Sequence, residues 1–186
     1  YVDEPPAGTT LGGGLFVSNG TVYLEGNLIR NNDAVRGGGV YIETSIATVL
    51  NSNVSDNLAL TNGGGMYVSS STFAGQGLTI SHNTGNGNGG GFSSISSDFE
   101  LSNSRFITNW ATFGGAMFID SNSNGMLSNA YAFNNSAFTT GGLMFIQVSN
   151  LTVSDGQFFD NRAAFGAGIG VFDSRLTIDN AEFVNG

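Results

Sequence analysis

The glycine run Gly37-Gly38-Gly39-Val40-Tyr41-Ile42 returns six more times, with small changes, along the 186 residues. The copies are Gly12-Gly13-Gly14-Leu15-Phe16, Gly63-Gly64-Gly65-Met66-Tyr67, Gly89-Gly90-Gly91-Phe92-Ser93, Gly114-Gly115-Ala116-Met117-Phe118, Gly141-Gly142-Leu143-Met144-Phe145 and Gly166-Ala167-Gly168-Ile169-Gly170. Aligned on the last glycine of each copy, the steps are 25, 26, 26, 24, 27 and 26 residues. A period held through a whole chain means one supersecondary unit stacked on itself.

A second column sets the register. An apolar residue is followed three places later by asparagine at Leu28/Asn31, Val54/Asn57, Ile80/Asn83, Phe106/Asn109, Tyr131/Asn134 and Phe158/Asn161, and Phe183 continues the series. A third apolar stretch lies upstream, as in Phe99-Glu100-Leu101 and Leu176-Thr177-Ile178. Each unit therefore holds three short alternating stretches, rich in β-branched and aromatic residues and separated by Gly, Asn, Ser and Asp. That is strand chemistry with turn punctuation. Three such strands cannot bury one face alone. Coiling the chain so that each strand pairs in parallel with its copy one rung up solves this. The expected fold is an all-β, single-stranded parallel β-helix, or β-solenoid. About seven rungs of about 26 residues, each with three short strands, would make a rod roughly 35 Å long. Asn31, Asn57, Asn83, Asn109, Asn134 and Asn161 are expected at a corner that needs positive φ, with their amides stacked as a ladder along the axis.

Composition narrows the partners. Hydrophobic residues make up 40% of the chain, enough for a core. Charged residues are only 10%, there is no lysine, and the net charge is −9. With no basic stripe, nucleic acid and anionic membrane are poor partners. No apolar run is long enough to cross a bilayer, so membrane insertion is not expected. The absence of cysteine excludes disulfides and thiolate metal sites. Residues 1–10 are acidic, carry Pro5-Pro6 and lack the repeat, so they read as a linker or N-terminal crossing segment. Residues 11–186 read as the β-helix domain, part of a longer chain or assembly.

The two columns together resemble the repeats of chlamydial polymorphic outer membrane proteins. Those repeats are marked by Gly-Gly-Ala-aliphatic and Phe-x-x-Asn. Gly114-Gly115-Ala116-Met117 is close to the first, and Phe106-Ile107-Thr108-Asn109 and Phe158-Phe159-Asp160-Asn161 match the second. Elsewhere Phe gives way to Leu, Val, Ile or Tyr. The resemblance covers nearly all of the chain after Thr10. It implies a right-handed helix of the pectin-lyase-like kind and the role of an extracellular passenger or adhesin, with no catalytic residues to carry over.

Enzymes share this architecture, so catalysis has to be weighed. Glycoside hydrolysis needs two carboxylates about 5–9.5 Å apart facing one cleft. Glu43, Asp120 and Asp173 follow the glycine-led strand but lie rungs apart. Asp98 and Glu100 share one face, which reads as an exposed acidic strand. His82, the only histidine, sits beside Asn83 at a turn, with no serine or acid motif that would make it a base. Asp179 and Glu182 match no calcium-loop pattern. Long inserted loops build the cleft on this fold, and steps of 24–27 residues leave no room for them. No cofactor, metal or catalytic residue is expected.

Alternation assigns outward directions. If Val40 and Ile42 point in, Tyr41 points out. The same rule places Phe16, Tyr41, Tyr67, Met117 and Met144 on one outer column, with gaps at Ser93 and Gly170, as a partner-contact stripe. Ile119, Ile146 and Phe172 either extend the stripe or turn inward. The sequons at Asn19, Asn53 and Asn150 are candidate N-glycosylation sites, with Asn19 and Asn150 in equivalent turns. Asn134 also lies in a sequon, but as a ladder member it should be buried and unmodified. The chain ends where another glycine run is due, which suggests continuation or stacking on another subunit.

The favoured reading is a non-enzymatic, secreted or cell-surface structural protein, acting as fibre segment or adhesin. Its partners would be other copies of itself, end to end or laterally, or a surface receptor. The alternative is a carbohydrate-active β-helix, either a polysaccharide lyase or hydrolase or a glycan binder, with outer aromatics stacking on sugars.

Overall fold

A computed structural model describes residues 10–184. The proposed linker lies outside the described residues except for Thr10, whose carbonyl accepts from Val35 N–H (2.8 Å). The described residues form 26 strands and no helix, and all strand pairs are parallel. The fold is the expected all-β parallel solenoid of about seven turns.

One rung runs through four faces. The first sheet follows each glycine run, as in Val40–Glu43 and Met117–Asp120. The second holds five-residue strands such as Asp98–Ser102 and Asn124–Ser128. The third holds triplets such as Arg105–Ile107 and Tyr131–Phe133. These three sheets are seven-stranded, and each strand pairs with its copy one rung away. A fourth, five-stranded sheet was not anticipated. It comprises Asp33–Arg36, Leu58–Asn62, Thr84–Asn88, Trp110–Phe113 and Ser136–Thr140. Three of its four pairings shift register midway. That irregularity hides it from a two-residue period.

The irregularity also explains the uneven step. Phe92 pairs with Met117, 25 residues on, and Met117 with Met144, 27 residues on. The longer step inserts one residue at the Ser121-Asn122 turn, where both have positive φ, and one at Phe138 in the fourth sheet. Insertions fall at turns and bulges, so inward residues stay inward.

The glycine run makes the corner from the fourth sheet to the first. Gly37 has φ +60, a backbone state that side chains resist. A Cβ on the next glycine, Gly38, would strike the carbonyls of Leu58 and Gly64, so backbone packs there directly on backbone. Inside, one core runs the length of the rod through Phe73, Phe92, Phe106 and Phe158, all fully buried. Gly125 faces this core, and the Phe99 ring fills the space its side chain would need.

Candidate interaction surfaces and the ladders that hold them

Two side-chain ladders run up the axis. The asparagine ladder is Asn32, Asn57, Asn83, Asn109, Asn135 and Asn161. Each Nδ2 below Asn161 donates to the Oδ1 one rung on, at 3.0–3.1 Å. The same Oδ1 accepts the backbone N–H of the rung below. A further Nδ2 bond reaches back to a backbone carbonyl, as from Asn109 to Ile80 (2.9 Å).

Asn31 and Asn134 are not in the ladder. They sit one residue earlier, at turn positions with φ 56 and 55. The inward apolar partners are accordingly Ile29 and Ala132, not Leu28 and Tyr131. Positive φ and amide stacking fall on adjacent residues rather than on one. Asp56, His82, Thr108 and Asp160 take the turn position in the other rungs. His82 is exposed there, as expected.

The second ladder lies outside the glycine and asparagine columns. Ser45, Ser71, Ser97, Ser123, Ser149 and Ser174 line the corner between the first and second sheets. Each Oγ accepts the N–H of the rung below, as Ser97 does from Ser71 (3.1 Å). Ser97 Oγ in turn donates to the Ile95 carbonyl two residues back (2.8 Å). The signal was available: these serines recur at steps of 26, 26, 26, 26 and 25, tighter than the glycine column.

The outer column of the first sheet is Phe16, Tyr41, Tyr67, Ser93, Phe118, Phe145 and Gly170. Met117 and Met144 are fully buried and point into the core. In their rungs Ala116 and Leu143 replace the last glycine, so counting from that glycine displaced them by one place. Ile119 and Ile146 also point inward, whereas Phe172 is exposed. Nor is the column an open stripe. Phe16 is 47% exposed, but Tyr41 is 4% and Tyr67 5%. Their rings stack with centroids 5.4 Å apart for Phe16–Tyr41 and 5.1 Å for Tyr41–Tyr67. Both faces of Tyr41 are therefore occupied, and a sugar ring has no face to stack on there.

Tyr41 donates its phenol proton to Glu43 Oε2 (3.0 Å), and the Arg36 guanidinium lies 5.8 Å from the centre of the Tyr67 ring. Burial, then the Glu43 hydrogen bond, pushes the Tyr41 hydroxyl up to about 12 from an ordinary 10.0. Burial also raises Tyr67, with Arg36 opposing. A tyrosine raised on folding contributes stability that is complete below pH 10.0 and lost as pH climbs through about 12. Urea unfolding across that window should show a loss of stability that is shallower in Tyr41→Phe. Equal slopes would exclude Tyr41 as a source.

Two other surfaces are more accessible. On the outer face of the second sheet, a groove of about 690 Å³ crosses five strands, from Thr72 and Ala74 to Arg175 and Thr177. Asp98, Asn124 and Asn150 form a hydrogen-bonded row in it, at 3.0 and 2.9 Å. Glu100 and the exposed Met126 line it beside them. Asp98 and Glu100 are both exposed, as expected of an acidic strand. On the third sheet, Ile107, Phe133, Phe159 and Val184 form one outward column, alternating with the inward Phe106, Ala132, Phe158 and Phe183. Beside it stand Arg105, Tyr131, Gln157 and Glu182, with the Arg105 guanidinium 4.7 Å from the centre of the Tyr131 ring. Tyr131 also packs against Phe159 (5.9 Å).

Asn19 is exposed in a turn with φ 52. Asn150 is exposed too, but it opens a second-sheet strand and pairs with Asn124, so the two sequons are not equivalent. The residue equivalent to Asn19 in that rung is Val148. Asn53 is half-buried at the start of a third-sheet strand, with its Oδ1 enclosed. Asn134 is half-buried at its turn, not sealed in the core. Among the described residues, no three or more His, Cys, Asp or Glu side chains gather where they could hold a metal ion. No protein-family model, curated protein or solved structure matches this chain.

Proposed function

We propose that this chain is a non-enzymatic structural segment of a secreted or cell-surface protein, a rigid rod serving as fibre segment or adhesin passenger. The carrying observation is the pair of side-chain ladders that tie successive rungs along the axis. Rigidity along one direction, with flat faces outward, suits a spacer that presents surfaces at a distance. The Gly-Gly-Ala-aliphatic and Phe-x-x-Asn resemblance to polymorphic outer membrane repeats supports the extracellular placement. Antibodies against the chain are expected to label intact source cells or the matrix around them. Labelling seen only after permeabilisation would overturn the reading.

A second reading, glycan binding, is favoured by the groove on the second sheet. Amides and carboxylates in a row with one exposed apolar side chain suit sugar hydroxyls and a pyranose face. A glycan array should then return ligands that Asn124→Ala with Met126→Ala loses while the fold is retained. An empty array, or ligands bound equally by that variant, would remove this reading.

A further inference from the structure

The outer face of the third sheet carries the residue types that anchor protein interfaces, arginine and aromatics. It has two outward columns over four consecutive rungs. Arg105, Tyr131, Gln157 and Glu182 form one, and Ile107, Phe133, Phe159 and Val184 the other. The order within these columns decides what can cover the face.

We propose that this face is self-complementary and pairs two copies of the chain antiparallel, about a two-fold axis along the strands between Tyr131–Phe133 and Gln157–Phe159. That operation reverses rung order and keeps each column over itself. It sets Arg105 of one copy opposite Glu182 of the other, twice per dimer. In the second column it sets Ile107 opposite Val184 and Phe133 opposite Phe159. Tyr131 meets Gln157. Every charge in the two columns gains an opposite charge and every apolar residue an apolar one. Parallel pairing exchanges the columns instead, placing Arg105 over Ile107 and Glu182 over Val184, so both charges lose water without a partner. Centring the axis on Tyr131–Phe133 places Arg105 over Gln157 and Glu182 over Thr79, which also leaves both charges unmatched.

Among the described residues four rungs overlap, roughly 20 Å of the axis, a small contact against the ~800 Å² per partner of standard complexes. The net charge of −9 on each copy also opposes approach. The pairing is therefore weak for one isolated chain and needs an ionic strength where screening sets in within about 8 Å. It gains strength when several copies are displayed together. The surface location proposed above is not required for it.

Sedimentation equilibrium of the 186-residue chain at physiological salt, up to about 1 mM, tests the proposal. A reversible monomer–dimer equilibrium is expected. Arg105→Glu and Glu182→Arg should each weaken it about tenfold, and the double reversal should restore it. Phe133→Ser should abolish it. All three positions face outward, and circular dichroism checks that each variant is folded. A monomer at every concentration overturns the proposal, as does dimerisation indifferent to the single reversals or a double reversal that fails to rescue. Because the readout is association in solution, it stands apart from the antibody test of location.

Discussion

Asn109→Leu is expected to lower the unfolding free energy by about 4 kcal/mol, because it leaves several buried polar groups without partners. Asn109 Oδ1 accepts both the backbone N–H and the Nδ2 of Asn83, at 3.1 Å each. Its own Nδ2 donates to the Ile80 carbonyl and to Asn135 Oδ1. Leucine fills the volume and serves none of them. The neighbouring register supplies the control. Asn134 holds a left-handed turn and makes only a 3.5 Å contact to Thr108, so Asn134→Gly should be nearly neutral. Denaturant melts of the two variants separate the ladder from the turn. Similar losses in both would mean that these asparagines act through turn geometry and not through stacking.

The other large effect is expected at Gly90. A Cβ there would collide with the carbonyl oxygens of Trp110 and Gly115, which are backbone and cannot rotate away. Gly90→Ala should cost about 3 kcal/mol or more, as overpacked sites do when the neighbour cannot yield. Gly91→Ala should cost less, because a Cβ there meets one carbonyl oxygen, that of Ala116, at 2.8 Å rather than two at shorter range, and Ala116 itself occupies the equivalent place one rung on. Chemical denaturation of the pair gives the comparison. If the two alanines are tolerated alike, the tight corner between the fourth and first sheets is wrong.

The fold was legible because repetition makes the strand pattern add up over seven rungs. What failed was register within a rung, and it failed for identifiable reasons. Where two asparagines adjoin, at Asn31-Asn32 and Asn134-Asn135, the three-residue spacing fits either one, since Leu28/Asn31 and Ile29/Asn32 both satisfy it, as do Tyr131/Asn134 and Ala132/Asn135. In fact Ala132 is fully buried and Leu28 largely exposed. A small inward residue is affordable because the core is continuous, with large neighbours such as Phe106 and Phe158 on the adjoining rungs. Met117 and Met144 were displaced because Ala116 and Leu143 interrupt the glycine run. Serine reads as turn chemistry, which masks the serine ladder, although its spacing is as regular as that of the asparagine ladder. The third-sheet patch has a weaker signal, since its strands are only three residues long and alternation over three positions carries little information.

The ladder is the centre of the account, and side-chain amide hydrogen exchange reports on it directly. The Nδ2 groups of Asn57, Asn83, Asn109 and Asn135 should exchange only on global opening, while those of Asn31 and Asn134 in the same chain exchange at near-solvent rates. Fast exchange at Asn83 and Asn109, or protection at Asn31 and Asn134, would contradict both the ladder and the register that places it.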